Sequence, residues 1–224
     1  MILTVILLGL FVIQACEIVL LHKKLSASQD RLAEVDEYAI ALQQSLRGYG
    51  ELKEDYTQLE ENVRIRAVLD PLKDLLSPNE IHELIKEIPR GSPLRVPFSV
   101  TAHFGESIGF HGRLRDDHTG IDIVSDTDDW MITPIGDGEV VHHGMDEVFG
   151  KVIYVRHSDR VRSMYAHGEK IYYAGITGEL VTSDTGIMWM GSTGFSDGIH
   201  LHFQIEVYSG EQWIPIDPYP FIRE

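Results

Sequence analysis

The hydrophobic period of this chain changes once, and the change limits what each part can fold into. Upstream of Pro89 the apolar residues recur at helical spacing; downstream no long helical period appears. There, runs such as Lys151–His157 and His200–Val207 read as β-strands, punctuated by Gly and Asp. At 224 residues the chain has room for one compact domain with an appended segment, or two small domains. The fold expected is mainly β: an antiparallel β-sheet domain over 98–224, preceded by helical segments, with no internal repeat.

In the helical part, Leu32, Val35, Ala39, Leu42, Leu46 and Tyr49 follow 3-4-3-4-3 spacing and form one stripe. The phase slips at Gly48-Tyr49-Gly50 and resumes at Leu52, Tyr56, Leu59 and Val63, which predicts a kink or break at the two glycines. Residues 23–76 therefore read as a short coiled-coil stalk able to pair with another copy, or as an amphipathic helix lying on the β domain. Ser77-Pro78-Asn79-Glu80 carries a helix-capping Ser, a Pro at the first helical position and a Glu three residues after the cap. Residues 77–97 thus read as a short helix, ending before Pro89, and a linker.

From Ile2 to Leu21 the chain is apolar except for Thr4, Gln14 and Glu17, long enough for about 20 helical residues to cross a hydrocarbon core of about 30 Å. Residues 1–22 are expected to form a transmembrane anchor or signal segment. An uncleaved anchor is favoured over a signal peptide or a lipid on Cys16, because Met1–Leu10 contains no Lys or Arg. Lys23 and Lys24, taken alone, would keep the following chain in the cytoplasm.

Nineteen Lys and Arg against thirty-five Asp and Glu leave a net charge of -16, which repels phosphate backbones and excludes generic nucleic-acid binding. The single cysteine excludes an internal disulfide and a Cys-based metal site, so a metal would need His and carboxylate ligands. Histidine is where the composition departs from the ordinary: nine of the eleven lie between His103 and His202. His200 and His202 would share one face of a strand, about 6.6 Å apart. His118 and Asp122 would lie about 13 Å apart in a straight strand, and Gly120 permits a bend that brings them together. Two imidazoles and one carboxylate with an open fourth position are a ligand set for catalytic zinc, whose natural chemistry is hydrolysis. Either motif alone would more often be structural; their concentration in one β domain favours the metal.

The ordered pieces of this domain carry a resemblance. Ala102-His103-Phe104-Gly105, His118-Thr119-Gly120-Ile121-Asp122-Ile123, Thr133-Pro134-Ile135 leading to Asp137-Gly138-Glu139-Val140, Gly150 to His157, Tyr165-Ala166-His167, Gly191-Ser192-Thr193-Gly194 and His200-Leu201-His202-Phe203-Gln204-Ile205 occur in sequence. The stretch from Gly91 to Ile222 resembles the lysostaphin/LytM-type peptidases, the M23 family of zinc metallopeptidases that cut peptide bonds in bacterial peptidoglycan. The resemblance implies Zn2+ held by His118, Asp122 and His202, with His167 and His200 polarising the attacking water and stabilising the oxyanion. It implies peptidoglycan peptides as substrate, and so a domain outside the cytoplasmic membrane despite Lys23 and Lys24. The alternative is a catalytically silent regulatory module that binds and activates a cell-wall amidase; another is a structural envelope protein acting through its coiled coil. Gly168 stands where Leu often follows, Gln204 where Glu is common, and Asp126–Trp130 replaces a Pro- and Gly-rich approach, departures that bear on groove shape and substrate preference. His142 and His143 read as surface residues, His157 as structural, and Met188, Met190 and the tryptophans as core.

Overall fold

The structure is a computed structural model that describes residues 2–69, 72–110, 113–115 and 117–223; the side chains of 2–16, 27, 33, 34, 61, 108–110 and 113–115 lie outside the description. It divides into two compact units, Met1–Glu60 and Glu61–Glu224.

The first unit belongs to α1, a helix over Ile2–Leu69. The break expected at Gly48-Tyr49-Gly50 does not occur. Each Gly weakens a helix by about 1 kcal/mol, but helical hydrogen bonds need no side chain, and the helix-forming neighbours carry the backbone through. The apolar stripe exists as a helix face, and within the single chain Leu32, Val35, Leu42, Leu46, Tyr49, Leu52, Tyr56, Leu59 and Val63 are all more than half exposed. The expected membrane anchor over 1–22 rests chiefly on side chains 1–16, outside the described residues. Among the described residues no helix is long and apolar enough to cross a membrane.

In the second unit the end of α1 and the capped helix α2, Pro78–Glu87, join the core of the β domain. Ser77 Oγ accepts from Glu80 N–H while Glu80 Oε2 accepts from Ser77 N–H at 2.8 Å, which closes both ends of the capping box. Ile65, Leu69, Leu72, Leu84 and Ile88 are buried in one cluster with strand residues. The segment read as linker lies along the domain: Leu94 is buried and bridges to Ile132, and Gly91 bridges to Ile222.

The strands are β1 (Phe98–Ala102), β2 (Ile108–Phe110), β3 (Arg113–Arg115), β4 (Ile121–Ser125), β5 (Met131–Ile132), β6 (Gly138–Asp146), β7 (Gly150–Arg156), β8 (Val161–Ile171), β9 (Leu180–Val181), β10 (Met188–Met190), β11 (Leu201–Tyr208) and β12 (Trp213–Ile216). All but β2 and β3, which form a separate two-stranded sheet, belong to one sheet with the order β1-β4-β11-β8-β7-β6-β9; β12 pairs with β11, and β10 links β5 to β8. Every described strand pairing is antiparallel. Apolar residues at alternate positions of β11, namely Leu201, Phe203, Ile205 and Val207, face the core. This leaves His202, Gln204 and Glu206 together on the other face.

Candidate metal centre

Three neighbouring strands build the site. On β4 the fully buried Ile121 and Ile123 point into the core, so Asp122 between them points the other way. Asp122 is the register partner of His202 on β11, and His202 in turn lies opposite Ala166 on β8, next to His167. His118 reaches the same point from the segment ahead of β4. A Cβ on Gly120 would stand 2.3 Å from the Phe203 carbonyl oxygen, so the turn lies against β11 only because that side chain is missing. Gly120 serves by its lack of volume, where the sequence suggested a need for bending.

The donor atoms converge. His118 Nε2 is 3.1 Å from Asp122 Oδ1 and 2.9 Å from His202 Nδ1, and His202 Nδ1 is 3.0 Å from Asp122 Oδ1. Tetrahedral zinc with ligands at about 2.0–2.1 Å holds neighbouring ligand atoms about 3.3 Å apart, so the triangle fits with a slight opening. The outer nitrogens identify the inner ones as lone pairs. His118 Nδ1–H donates to the His103 carbonyl at 2.9 Å, and His202 Nε2–H donates to Gln204 Oε1 at 2.8 Å. Three acceptors at this spacing repel one another unless positive charge lies among them.

The electrostatics agree. Burial works against the ionised form of both Asp122 and His118, yet the adjoining His118 and His202 imidazoles hold the Asp122 carboxyl far below the usual range, and Asp122 raises His118. The pocket therefore favours a carboxylate opposed by a cation.

Two more imidazoles stand beside this triangle. His167 has φ +61°, a left-handed conformation, with its N–H on the Phe149 carbonyl and Nδ1–H on the Thr193 carbonyl at 2.7 Å. Burial first, and then the neighbouring His200 and His202, push its pKa down to about 4, so it is neutral at ordinary pH with Nε2 as its free acceptor. His200 precedes β11, donates Nδ1–H to the Gly198 carbonyl at 3.0 Å, and brings Nε2 to 3.7 Å from Asp122 Oδ1. The His167 and His200 ring centroids are 4.7 Å apart.

The structure thus gathers His118, Asp122, His202, His167 and His200 at one place, and among the described residues the first three form a group able to hold a metal. The remaining domain histidines with described side chains do other work. His157 is held between the Asp137 carbonyl and Ser163 Oγ, and His143 bonds Thr177 Oγ1 away from the centre. Sequence reasoning missed the supports of the site: the His103 and Thr193 carbonyls, and the row Gln204, Glu206 and Arg162 behind His202. The row had a visible signal, since His202, Gln204 and Glu206 alternate along one strand face.

Residues 116–218 match the model of peptidase family M23. Among solved structures, the chain is similar to one from the SpoIIQ–SpoIIIAH pore forming complex, at 22% identity and a TM-score of 0.50 over 59% of this chain and 91% of that one. It is also similar to the catalytic domain of lysostaphin from Staphylococcus simulans, at 27% identity and a TM-score of 0.46 over 56% and 91% of the two chains. A zinc containing peptidase from Vibrio cholerae aligns at 26% identity and a TM-score of 0.47 over 56% of this chain and 37% of that one. No curated protein matches the chain. With the ordered histidine motifs placed around one centre, the β domain of this chain is similar to peptidase family M23 over residues 116–218.

Proposed function

We propose that this chain is a zinc-dependent endopeptidase of the bacterial envelope, hydrolysing cross-links or stem peptides of peptidoglycan. The observation that carries the reading is the convergence of three metal-capable donors with two further imidazoles anchored through Nδ1 beside them. His118 Nε2, Asp122 Oδ1 and His202 Nδ1 would hold the ion. Zinc, when bound, supplies a Lewis acid that activates water and polarises a peptide carbonyl. His167, kept neutral by burial, offers Nε2 to the proton of the attacking water. His200, with ring orientation fixed by the Gly198 carbonyl, stands where an imidazole can stabilise negative charge developing on the carbonyl oxygen. The proton taken up by the imidazole then passes to the leaving amine.

Peptidoglycan as substrate puts the domain on the outer side of the cytoplasmic membrane, with residues 1–22 as the anchor and the apolar stripe of α1 as a contact between copies. The test is to incubate zinc-loaded chain with isolated peptidoglycan and analyse released fragments by mass spectrometry. New peptide termini, lost with Asp122→Ala, are expected. A zinc-loaded chain that releases none overturns the reading, and stimulation of an amidase by that same inactive preparation would establish the regulatory alternative.

A further inference from the structure

Among the described residues four imidazoles face this centre, and three are held alike. His118, His167 and His200 each give Nδ1–H to a backbone carbonyl, of His103, Thr193 and Gly198. His202 is reversed: Nδ1 faces the other donors, and Nε2 faces Gln204. The reversal follows from position. His118 and His200 lie outside the strands, and His167 lies where the β7–β8 register shifts. His202 sits in β11, which is paired with β4 on one side and β8 on the other, so its neighbouring carbonyls serve the ladders. An acceptor for its outer nitrogen must come from a side chain on the same strand face, two residues along.

Gln204 is that side chain, and its amide has one permitted orientation. Oε1 accepts from His202 Nε2–H at 2.8 Å and from Thr119 Oγ–H at 2.9 Å, while Nε2 donates to Glu206 Oε1 at 3.1 Å. Glu206 Oε2 receives Arg162 Nε and Nη2, both at 2.6 Å. The Arg162 guanidinium lies 4.5 Å from the centre of the Tyr154 ring and 4.3 Å from that of Trp213. A flipped amide would set NH2 against an imidazole N–H and oxygen against a carboxylate.

We infer that Gln204 is the positioning residue that fixes His202 in the tautomer with Nδ1 unprotonated, and that Glu206 and Arg162 fix Gln204. Residues 204 and 206 are matched as amide and acid. A carboxylate at 204 alone would face the Glu206 carboxylate with no proton between them, whereas exchanging the two keeps every bond of the row. The consequence for metal affinity rests on the zinc reading; the tautomer is a property of the metal-free chain.

Histidine 15N NMR on the metal-free full chain reads the tautomer, and competition with a chelator reads zinc affinity. The parent chain should show His202 protonated at Nε2. Gln204→Leu should shift His202 toward the Nδ1-protonated form and weaken zinc about 10- to 100-fold. The double exchange Gln204→Glu with Glu206→Gln should keep the parental tautomer and tighten zinc severalfold, because a carboxylate acceptor makes a ligating imidazole more basic. A folded Gln204→Leu chain with the parental tautomer and affinity overturns the inference. Should that variant not fold, the exchange decides alone, and zinc binding that is unchanged or weaker overturns it. A parent chain that binds no zinc defeats the metal reading, while the tautomers still decide the positioning.

Discussion

His167 and His202 show how differently two histidines of one site are made. The first takes its place through a left-handed backbone and a loop carbonyl; the second stands in a regular strand and depends on a side chain behind it. Their losses should differ accordingly. His167→Ala and His200→Ala should retain zinc and lose about 10²- to 10⁴-fold in turnover, whereas His202→Ala and Asp122→Ala should lose zinc as well. Metal analysis beside fragment release separates these effects, and full zinc in Asp122→Ala would remove that residue from the ligand set. That these five residues meet at one place was legible in the motifs, and Gln204 was visible as a departure. Its work was not, because which ring nitrogen His202 turns toward residue 204 depends on where His118 and Asp122 lie. His157 gives a pH prediction of its own. Burial lowers its pKa, so below about pH 6.5 the unfolded chain takes up a proton that the native state resists. The stability it contributes is complete above that pH and falls as the pH drops beneath it. Melting temperatures at pH 7 and 5 should therefore diverge less in His157→Gln than in the parent, and an equal divergence would show that His157 is not the group responsible.

At the level of elements, the site depends on the lock between the β6–β7 turn and the loop over residues 191–200. Gly150 has φ +65° and Gly194 φ +76°; a Cβ on Gly150 would lie 2.4 Å from the Thr193 carbonyl carbon, and one on Gly194 would lie 2.3 Å from Gly150 N. Thr193 Oγ1 accepts from Lys151 N–H at 2.9 Å and donates to the Gly168 carbonyl at 2.8 Å, so the loop is pinned to both strands. Its carbonyl then holds His167. Gly150→Ala should destabilise the fold by at least about 1–2 kcal/mol, from backbone conformation alone, and lower turnover beyond what the lost stability explains. Denaturant midpoints and cleavage rates measure the two parts, and an active, equally stable variant would show that the lock is dispensable. The same reasoning explains Gly168 in place of Leu, because a Cβ there would meet Met188 Sδ at 2.1 Å. Period-two alternation made β7 and β11 readable from the sequence to within one or two residues. It said nothing of the partner that each glycine must clear, since those contacts join residues far apart in the sequence.

The molecule comprises a helical unit bearing an exposed apolar stripe and a second unit with a closed core. In the second unit the sheet covers its apolar residues with the end of α1, α2 and its own loops, whereas the described large apolar residues of the stripe from Leu32 to Val63 are more than half exposed. Contiguous exposed apolar rows commonly mark protein or membrane contact surfaces. The sequence showed the stripe and misjudged the glycines. Reading Gly48 and Gly50 as a break follows from propensity, yet the helix runs through them, and a three-residue phase shift can be absorbed as a local change of supercoil. If the stripe joins two copies, the full chain should have a mass above its 25.3 kDa in light scattering, and crosslinking should trap the pair. Leu42→Asp with Leu46→Asp places four carboxylates in a two-stranded seam and should return the chain to single-copy mass. Zinc binding should not change, because His118, Asp122 and His202 belong to the other unit. Gly48→Ala and Gly50→Ala, at positions where a Cβ meets nothing within 4 Å, should instead stabilise the helix by about 1 kcal/mol each. A parent chain of single-copy mass, unmoved by the two aspartates, would mean that the stripe serves some surface other than a second copy.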